Sequence, residues 1–172
     1  ILETSRLTLR VIRPDDEDAM FRVFNDPYAR RFYPRMVERE QVRRWLQWGI
    51  QGHRRHGFGL WTVVEKASGE VVGDCGLIAQ VIQGMEDVEV GYHIAASRRG
   101  RGYATEAATA CVAWAFARTE ADRVVSLVHV DNVASARVAG RVHRHRTATP
   151  LSFHALPHHL YMTPRTNTGS SW

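Results

Sequence analysis

The stretch that most limits what this chain can become is Ser97-Arg98-Arg99-Gly100-Arg101-Gly102-Tyr103-Ala104-Thr105-Glu106-Ala107. It lies between a strand-like run, Val88 to Ile94, and a helix-like run that ends near Phe116. With strand, turn and helix in that order, several backbone N–H groups stay unpaired where the helix begins. Gly100 and Gly102 let an oxyanion approach those groups without a side chain in the way. The helix dipole and the side chains of Arg98, Arg99 and Arg101 favour a negative guest, and a diphosphate fits that description. Two familiar phosphate loops are excluded by spacing. No lysine follows as in G-x-x-x-x-G-K-[ST], and the third glycine of G-x-G-x-x-G is missing.

Around this turn, hydrophobic periodicity predicts alternating elements in one domain over 1–165, with a tail at 166–172. Leu2 to Arg10 reads as a strand, with Leu7 and Leu9 alternating with polar residues. Pro14 and the acidic run after it open a helix that Asn25-Asp26-Pro27 ends. A loop, Arg30-Arg31-Phe32-Tyr33-Pro34, precedes a helix from about Glu38 to Gly52. Phe32 and Tyr33 are candidates for lining a substrate cleft, with a plug at the core's edge as the larger expectation. Strands follow at Leu60–Glu65, Glu70–Ile78 and Val88–Ile94, the last with a turn near Gly84 before it. Val88, Val90, Tyr92 and Ile94 share one face, and Glu89, Gly91 and His93 the other. After the Gly/Arg turn come a helix with a small-residue face, a valine-rich strand from Arg123 to Val130, and a short helix from Val133 to about Arg141. The segment 140–149 is polar and basic and reads as loosely ordered. Leu160 to Thr163 reads as a final strand.

Charge narrows the ligand class. A net charge of +5 with nine histidines besides favours acidic partners: nucleic acid, a phosphorylated cofactor or an acidic protein surface. No stacking motif accompanies the basic Arg141–Arg146 segment, so a nucleic-acid module is the minor reading and no nucleic-acid partner is expected. No apolar run approaches the roughly 20 residues that span a bilayer, so no membrane partner is expected. Two cysteines that make no disulfide framework suit a reducing compartment, and a cytoplasmic location is expected. Cys75 and Cys111 read as small buried hydrophobes, and the histidines at 143, 145, 154, 158 and 159 have no metal-site spacing, so no metal is expected.

Four pieces in order resemble one family. Arg99-x-x-Gly102-x-Ala104 resembles the Q/R-x-x-G-x-G/A pyrophosphate loop of the GNAT superfamily of acetyl-CoA-dependent N-acetyltransferases. Thr4 to Arg10 resembles the opening strand, and Glu89-Val90-Gly91-Tyr92 the fourth strand, of the branch containing the ribosomal-protein N-terminal (alanine) acetyltransferases. Asn132-Val133-Ala134-Ser135 resembles that branch's N-x-x-S helix start. The resemblance implies an α/β (α+β) GNAT fold: a mixed, mostly antiparallel sheet of six to seven strands, about four helices, and splayed fourth and fifth strands. One departure stands out. Where the branch usually continues with Leu-Gly-Phe or Leu-Gly-Met, this chain has Val142-His143-Arg144, which puts the next strand in question.

The resemblance also implies acetyl-CoA as cosubstrate and direct transfer to an amine, with no acyl-enzyme. Arg99, Gly100, Arg101, Gly102, Tyr103 and Ala104 would hold the diphosphate. Tyr92, His93 and Ile94 would flank the thioester arm, and Asn132 and Ser135 would bond the pantetheine or merely cap their helix. An α-amine, with a pKa of about 7.8, loses its proton about 3.5 kcal/mol more easily than a lysine at about 10.4. That suits a modest base; Glu89 is the first candidate and His93 the second. No tyrosine lies between Asp131 and Leu160, where many relatives keep their acid, so Ser135, Ser126 or water would protonate the thiolate. The acceptor is expected to be a protein or peptide N-terminus, with a small amine (aminoglycoside or polyamine) as the alternative and a silent coenzyme-binding domain as a third reading. The oligomeric state is open, a homodimer included.

Overall fold

The computed structural model describes residues 2–166. Its strands are β1 (Leu2–Glu3), β2 (Leu7–Val11), β3 (Leu60–Glu65), β4 (Val71–Ile82), β5 (Met85–Ile94), β6 (Arg123–His129), β7 (His145–Arg146), β8 (Leu151–Phe153) and β9 (Leu156–Pro164). Its helices are α1 (Glu17–Phe24), α2 (Pro27–Phe32), α3 (Arg39–His56), α4 (Tyr103–Arg118) and α5 (Val133–Val142). The strands form one sheet in the order β1-β2-β3-β4-β5-β6-β9-β7, with β8 beside β9. Among the described residues, only β5 and β6 pair in parallel. The expected tail, beyond Thr166, lies outside the described residues.

The mixed, mostly antiparallel sheet is the expected one, with nine strands rather than six to seven and five α-helices rather than four. β7 and β8 are short edge pieces that periodicity does not register, and the single strand expected over Leu2 to Arg10 is broken: Leu2–Glu3 folds back antiparallel on β2, with Leu2 opposite Leu9. The extra helix is α2. Asn25-Asp26-Pro27 reads as a stop, and it does end α1, but Asp26 also accepts from the amides of Tyr28 and Ala29 while Pro27 takes the first helical position. Within 140–149, His145 and Arg146 pair with Met162 and Tyr161 of β9. α5 runs on to Val142, and β9 is nine residues long where four were expected.

The sheet buries both faces. Val90 and Ile94 of β5 join Leu7, Leu9, Val63 and Cys75 under α4, which closes on the strands through Ala107, Ala108, Cys111 and Ala115, all 0% exposed. Residues of the opposite parity face α1 and α3, where Met20, Val23, Phe24, Val42 and Leu46 form a second cluster. One row across that second face is polar. Arg10 lies opposite Thr62, Thr62 opposite Asp74, and Asp74 opposite His93, on four neighbouring strands.

The sheet splits between β5 and β6. Their ladder covers only Val88 with Val124 and Glu89 with Val125. β5 then continues along β4 to Ile94, and β6 along β9 to His129. Side chains occupy the fork. Ser126 donates its hydroxyl to the Val90 carbonyl at 2.7 Å, and the Leu127 amide donates to Glu89 Oε1 at 3.4 Å. These bonds take the place of ladder bonds where the strands diverge.

Candidate active site

The fork opens onto a cleft of about 390 Å³ between α4, α5 and α2. One end is the start of α4. Gly100 and Gly102 turn the chain at φ +76° and +82°, a region costly for residues with a Cβ. The first helical amide to find a carbonyl is that of Glu106, at Gly102 (3.0 Å), and no side chain caps the helix. The amides of Tyr103, Ala104 and Thr105 therefore have no partner within the helix, and these residues line the cleft together with Gly100 and Gly102. Both glycines are exposed. An oxyanion is what such an opening accommodates.

The arginines of the turn are placed differently from one another. Arg99 is committed to structure. Its Nη1 and Nη2 donate to Asp26 at 3.0 and 2.6 Å, and its Nε donates to the Ile94 carbonyl at 2.9 Å. Burial opposes ionisation of Asp26, but the bonds from Arg99 and the Ala29 and Tyr28 amides outweigh it and hold the carboxyl below its ordinary value. Arg98 pairs with Glu70. The Arg101 side chain is half exposed, 3.9 Å from Glu65. Arg137 and Arg141 of α5 also line the cleft. Sequence reading gives Arg137 no role and places Arg141 in the basic Arg141–Arg146 segment, although the two are four apart on one face of α5.

Tyr92, His93 and Ile94 form the floor of the cleft, and Asn132 and Ser135 its far wall. The capping reading holds for Asn132, whose Oδ1 accepts from the Ser135 amide at 3.1 Å. The same oxygen also takes the Tyr28 hydroxyl at 2.8 Å. Ser135 donates its hydroxyl to Tyr92 (3.1 Å), and Tyr92 donates to the Ser135 carbonyl (2.9 Å). Burial pushes the Tyr92 phenol well above its ordinary range. Tyr28, which sequence reading missed, reaches from α2 and accepts from the Ala134 amide at 3.2 Å.

Phe32 and Tyr33 both line the cleft, and Tyr33 also packs edge-on against Phe24 of the second cluster (5.7 Å), so it serves core and cleft together. His93 lies among three rings, with centroids of Tyr33, Phe24 and Trp45 at 4.7, 4.8 and 5.6 Å. Its Nδ1 is 2.6 Å from Asp74 Oδ1, and Asp74 Oδ2 accepts from Trp45 Nε1 at 2.7 Å. Asp74 is 0% exposed. Glu89 is placed apart. It shares the strand face of His93 but sits in the fork, bonded by the Leu127 amide and by Gln80 at 3.3 Å, and it is not among the residues lining the cleft. Burial raises its carboxyl above the usual value. Ser126 is likewise engaged in the fork, and His143 Nε2 lies 3.0 Å from its hydroxyl. Among the described residues, no group of three or more His, Cys, Asp or Glu side chains is placed to hold a metal ion, and no helix is long and apolar enough to cross a membrane.

Residues 6–144 match the family described as the acetyltransferase (GNAT) domain. YkkB of Bacillus subtilis (strain 168), described as uncharacterized, is 34% identical over 149 residues, which cover 86% of this chain and 87% of that one. Among solved structures, an acetyltransferase from Agrobacterium tumefaciens str. C58 superposes with a TM-score of 0.81 at 25% identity, covering 95% of this chain and 94% of that one. RimL, a ribosomal L7/L12 α-N-protein acetyltransferase solved with coenzyme A, shares the fold at TM-score 0.70 and 21% identity, over 94% of each chain. The aminoglycoside acetyltransferase AAC(6′)-Ib, also solved with coenzyme A, shares it at 0.74 and 16% identity, over 92% of this chain and 95% of that one.

Proposed function

The chain belongs to the GNAT acetyltransferase family, and from that premise we propose that it transfers an acetyl group from acetyl-CoA directly to the N-terminal α-amine of a protein or peptide. The observation that carries this reading is the uncapped start of α4, whose free amides open onto a cleft that runs to the fork between β5 and β6. The amides of Tyr103, Ala104 and Thr105 receive the diphosphate. Arg101, Arg137 and Arg141 add positive charge around the phosphates, while Arg99 acts by fixing the turn. The thioester arm lies over Tyr92 and Ile94, in the gap left where the strands part.

Acceptor class follows from charge. Among the described residues, no aspartate or glutamate lines the cleft; its acceptor side presents Phe24, Tyr28, Phe32 and Tyr33. A polycationic aminoglycoside or polyamine would find no counter-charge there, and burying several ammonium groups unpaired is costly. A single amine on an uncharged or apolar body is compatible with these walls. An α-amine is also partly neutral near pH 7.8 and needs no strong base.

The test is thiol release from acetyl-CoA against a panel of N-terminal peptides, lysine side-chain peptides, polyamines and aminoglycosides, with calorimetry for coenzyme A alone. Turnover of N-terminal peptides above the cationic panel is expected. Preference for the polycations would replace the acceptor class, and no heat with coenzyme A would remove the acetyl-transfer reading.

A further inference from the structure

Resting on the acetyl-transfer reading above, we infer that His93 and Asp74 form a proton relay: His93 Nε2 is the base for the acceptor nitrogen, and Asp74 positions the imidazole. The two residues lie directly opposite each other on β5 and β4. The Asp74 carboxylate is completely buried, and each of its oxygens has one partner, Nδ1 of His93 at 2.6 Å and Nε1 of Trp45 at 2.7 Å. An indole N–H can only donate. A buried carboxylate needs donors, so the imidazole hydrogen belongs on Nδ1 and the lone pair on Nε2. Nε2 has no hydrogen-bond partner among the described residues, while His93 lines the cleft beside Tyr92 and Ile94.

The ring is also held in place. Phe24 from α1, Trp45 from α3 and Tyr33 surround it, so a flip that exchanged the nitrogens would collide with packed aromatics. The titratable groups facing it are Asp74, the Tyr33 phenol and Glu89 on the same strand face. Burial keeps the Tyr33 phenol neutral. Glu89 is held in the fork by the Leu127 amide and Gln80. Of the two carboxylates near the floor of the cleft, one is occupied with holding the strands at the fork and the other orients a histidine that reaches the cleft.

The lone pair of a neutral amine attacks the thioester carbonyl carbon. A C–N bond forms, and the C–S bond breaks with its electron pair leaving on sulfur. The nitrogen sheds one proton to His93 Nε2, and the imidazolium is stabilised by Asp74. That proton passes through water to the departing thiolate, leaving an amide, a thiol and a neutral imidazole.

Nitrogen NMR of the wild-type protein reads the tautomer without any acceptor. Hydrogen on Nδ1 of His93 is expected, and hydrogen on Nε2 would overturn the relay. Kinetics with the best peptide of the panel supply the second arm. His93→Gln is expected to lower kcat at least 100-fold with the KM for acetyl-CoA unchanged within about twofold. Asp74→Asn, whose amide donates to Nδ1 and imposes the wrong tautomer, is expected to lower kcat at least tenfold and to move the acid limb of the kcat/KM profile to lower pH. Both variants are checked for folding by retained coenzyme A affinity. Should Asp74→Asn not fold, Trp45→Phe removes one donor from the carboxylate and keeps the ring packing, with a smaller loss of kcat expected. If His93→Gln keeps a third or more of kcat, or Asp74→Asn leaves the acid limb in place, the relay is wrong while acetyl transfer stands. If the wild type turns over no amine, acetyl transfer falls, and the relay with it.

Discussion

The Tyr28 hydroxyl donates to Asn132 Oδ1 at 2.8 Å, joining α2 on one side of the cleft to the start of α5 on the other. The residues are 104 positions apart, and both line the cleft. A single neutral hydrogen bond contributes about 1 kcal/mol. Tyr28→Phe is therefore expected to destabilise the fold by about that amount, read from the urea midpoint. The same variant should speed dissociation of coenzyme A severalfold in stopped-flow displacement, because α2 is no longer tied across the cleft.

Arg99 and Asp26 make the other tie of α2, to the turn before α4. The pair is bidentate, a geometry that lysine cannot reproduce. Arg99→Lys is expected to lose most of what Arg99→Ala loses, about 1–3 kcal/mol of stability, since Asp26 keeps only its two helix amides. Coenzyme affinity should fall in both variants, through disorder of the turn. Thermal melts and calorimetry on the two variants check this. Full rescue by lysine would show that charge, not geometry, is what the position supplies.

What could be read in advance follows the range of the interactions. Gln83-Gly84 and the glycines at 100 and 102 are local turn chemistry, and a turn near Gly84 and an open helix start after Gly102 were both legible. Asp26-Pro27 was legible but ambiguous, because the residues that stop one helix also start another. Asp74 went unread for a different reason. Its partners, Trp45 and His93, are 29 and 19 residues away, and only the packing of α3 on the sheet and the pairing of β4 with β5 bring them together. A signal was available, namely a carboxylate in the otherwise apolar run Val71–Ile78. Glu89 was placed on the correct strand face, but alternation does not say that its strand loses its neighbour one residue later and that the side chain fills the gap.

His143 stands where the branch would have a glycine, and it read as part of a basic loop. It is buried, with Thr163 Oγ1 at 3.2 Å and Ser126 Oγ at 3.0 Å. Desolvation lowers its pKa to about 4, against 6.5 for an ordinary histidine. The unfolded chain therefore binds the proton first as pH falls, and stability is lost between about 6.5 and 4. Over pH 7.5 to 5.0 this amounts to about 2 kcal/mol. His143→Gln keeps hydrogen-bonding atoms near Ser126 and removes the titration. Its urea midpoint should fall less over that interval than that of the wild type. Parallel falls in both proteins would assign the acid sensitivity to other groups.

The start of α4 offers the most direct check on the coenzyme site. At Gly102 a new Cβ would lie 3.4 Å from Arg6 Nη2, an ordinary contact, so the cost of Gly102→Ala is mainly the φ of +82°, about 1–2 kcal/mol. Gly100→Ala has a similar φ and nothing within 4 Å of its Cβ. The two variants should lose similar stability in thermal melts. They differ in distance from the free amides: Gly102 directly precedes Tyr103, whereas Gly100 is two residues further back. Gly102→Ala is therefore expected to weaken coenzyme A binding tenfold or more in calorimetry, and Gly100→Ala by less. Equal affinities in both variants and the wild type would mean that the diphosphate is held elsewhere.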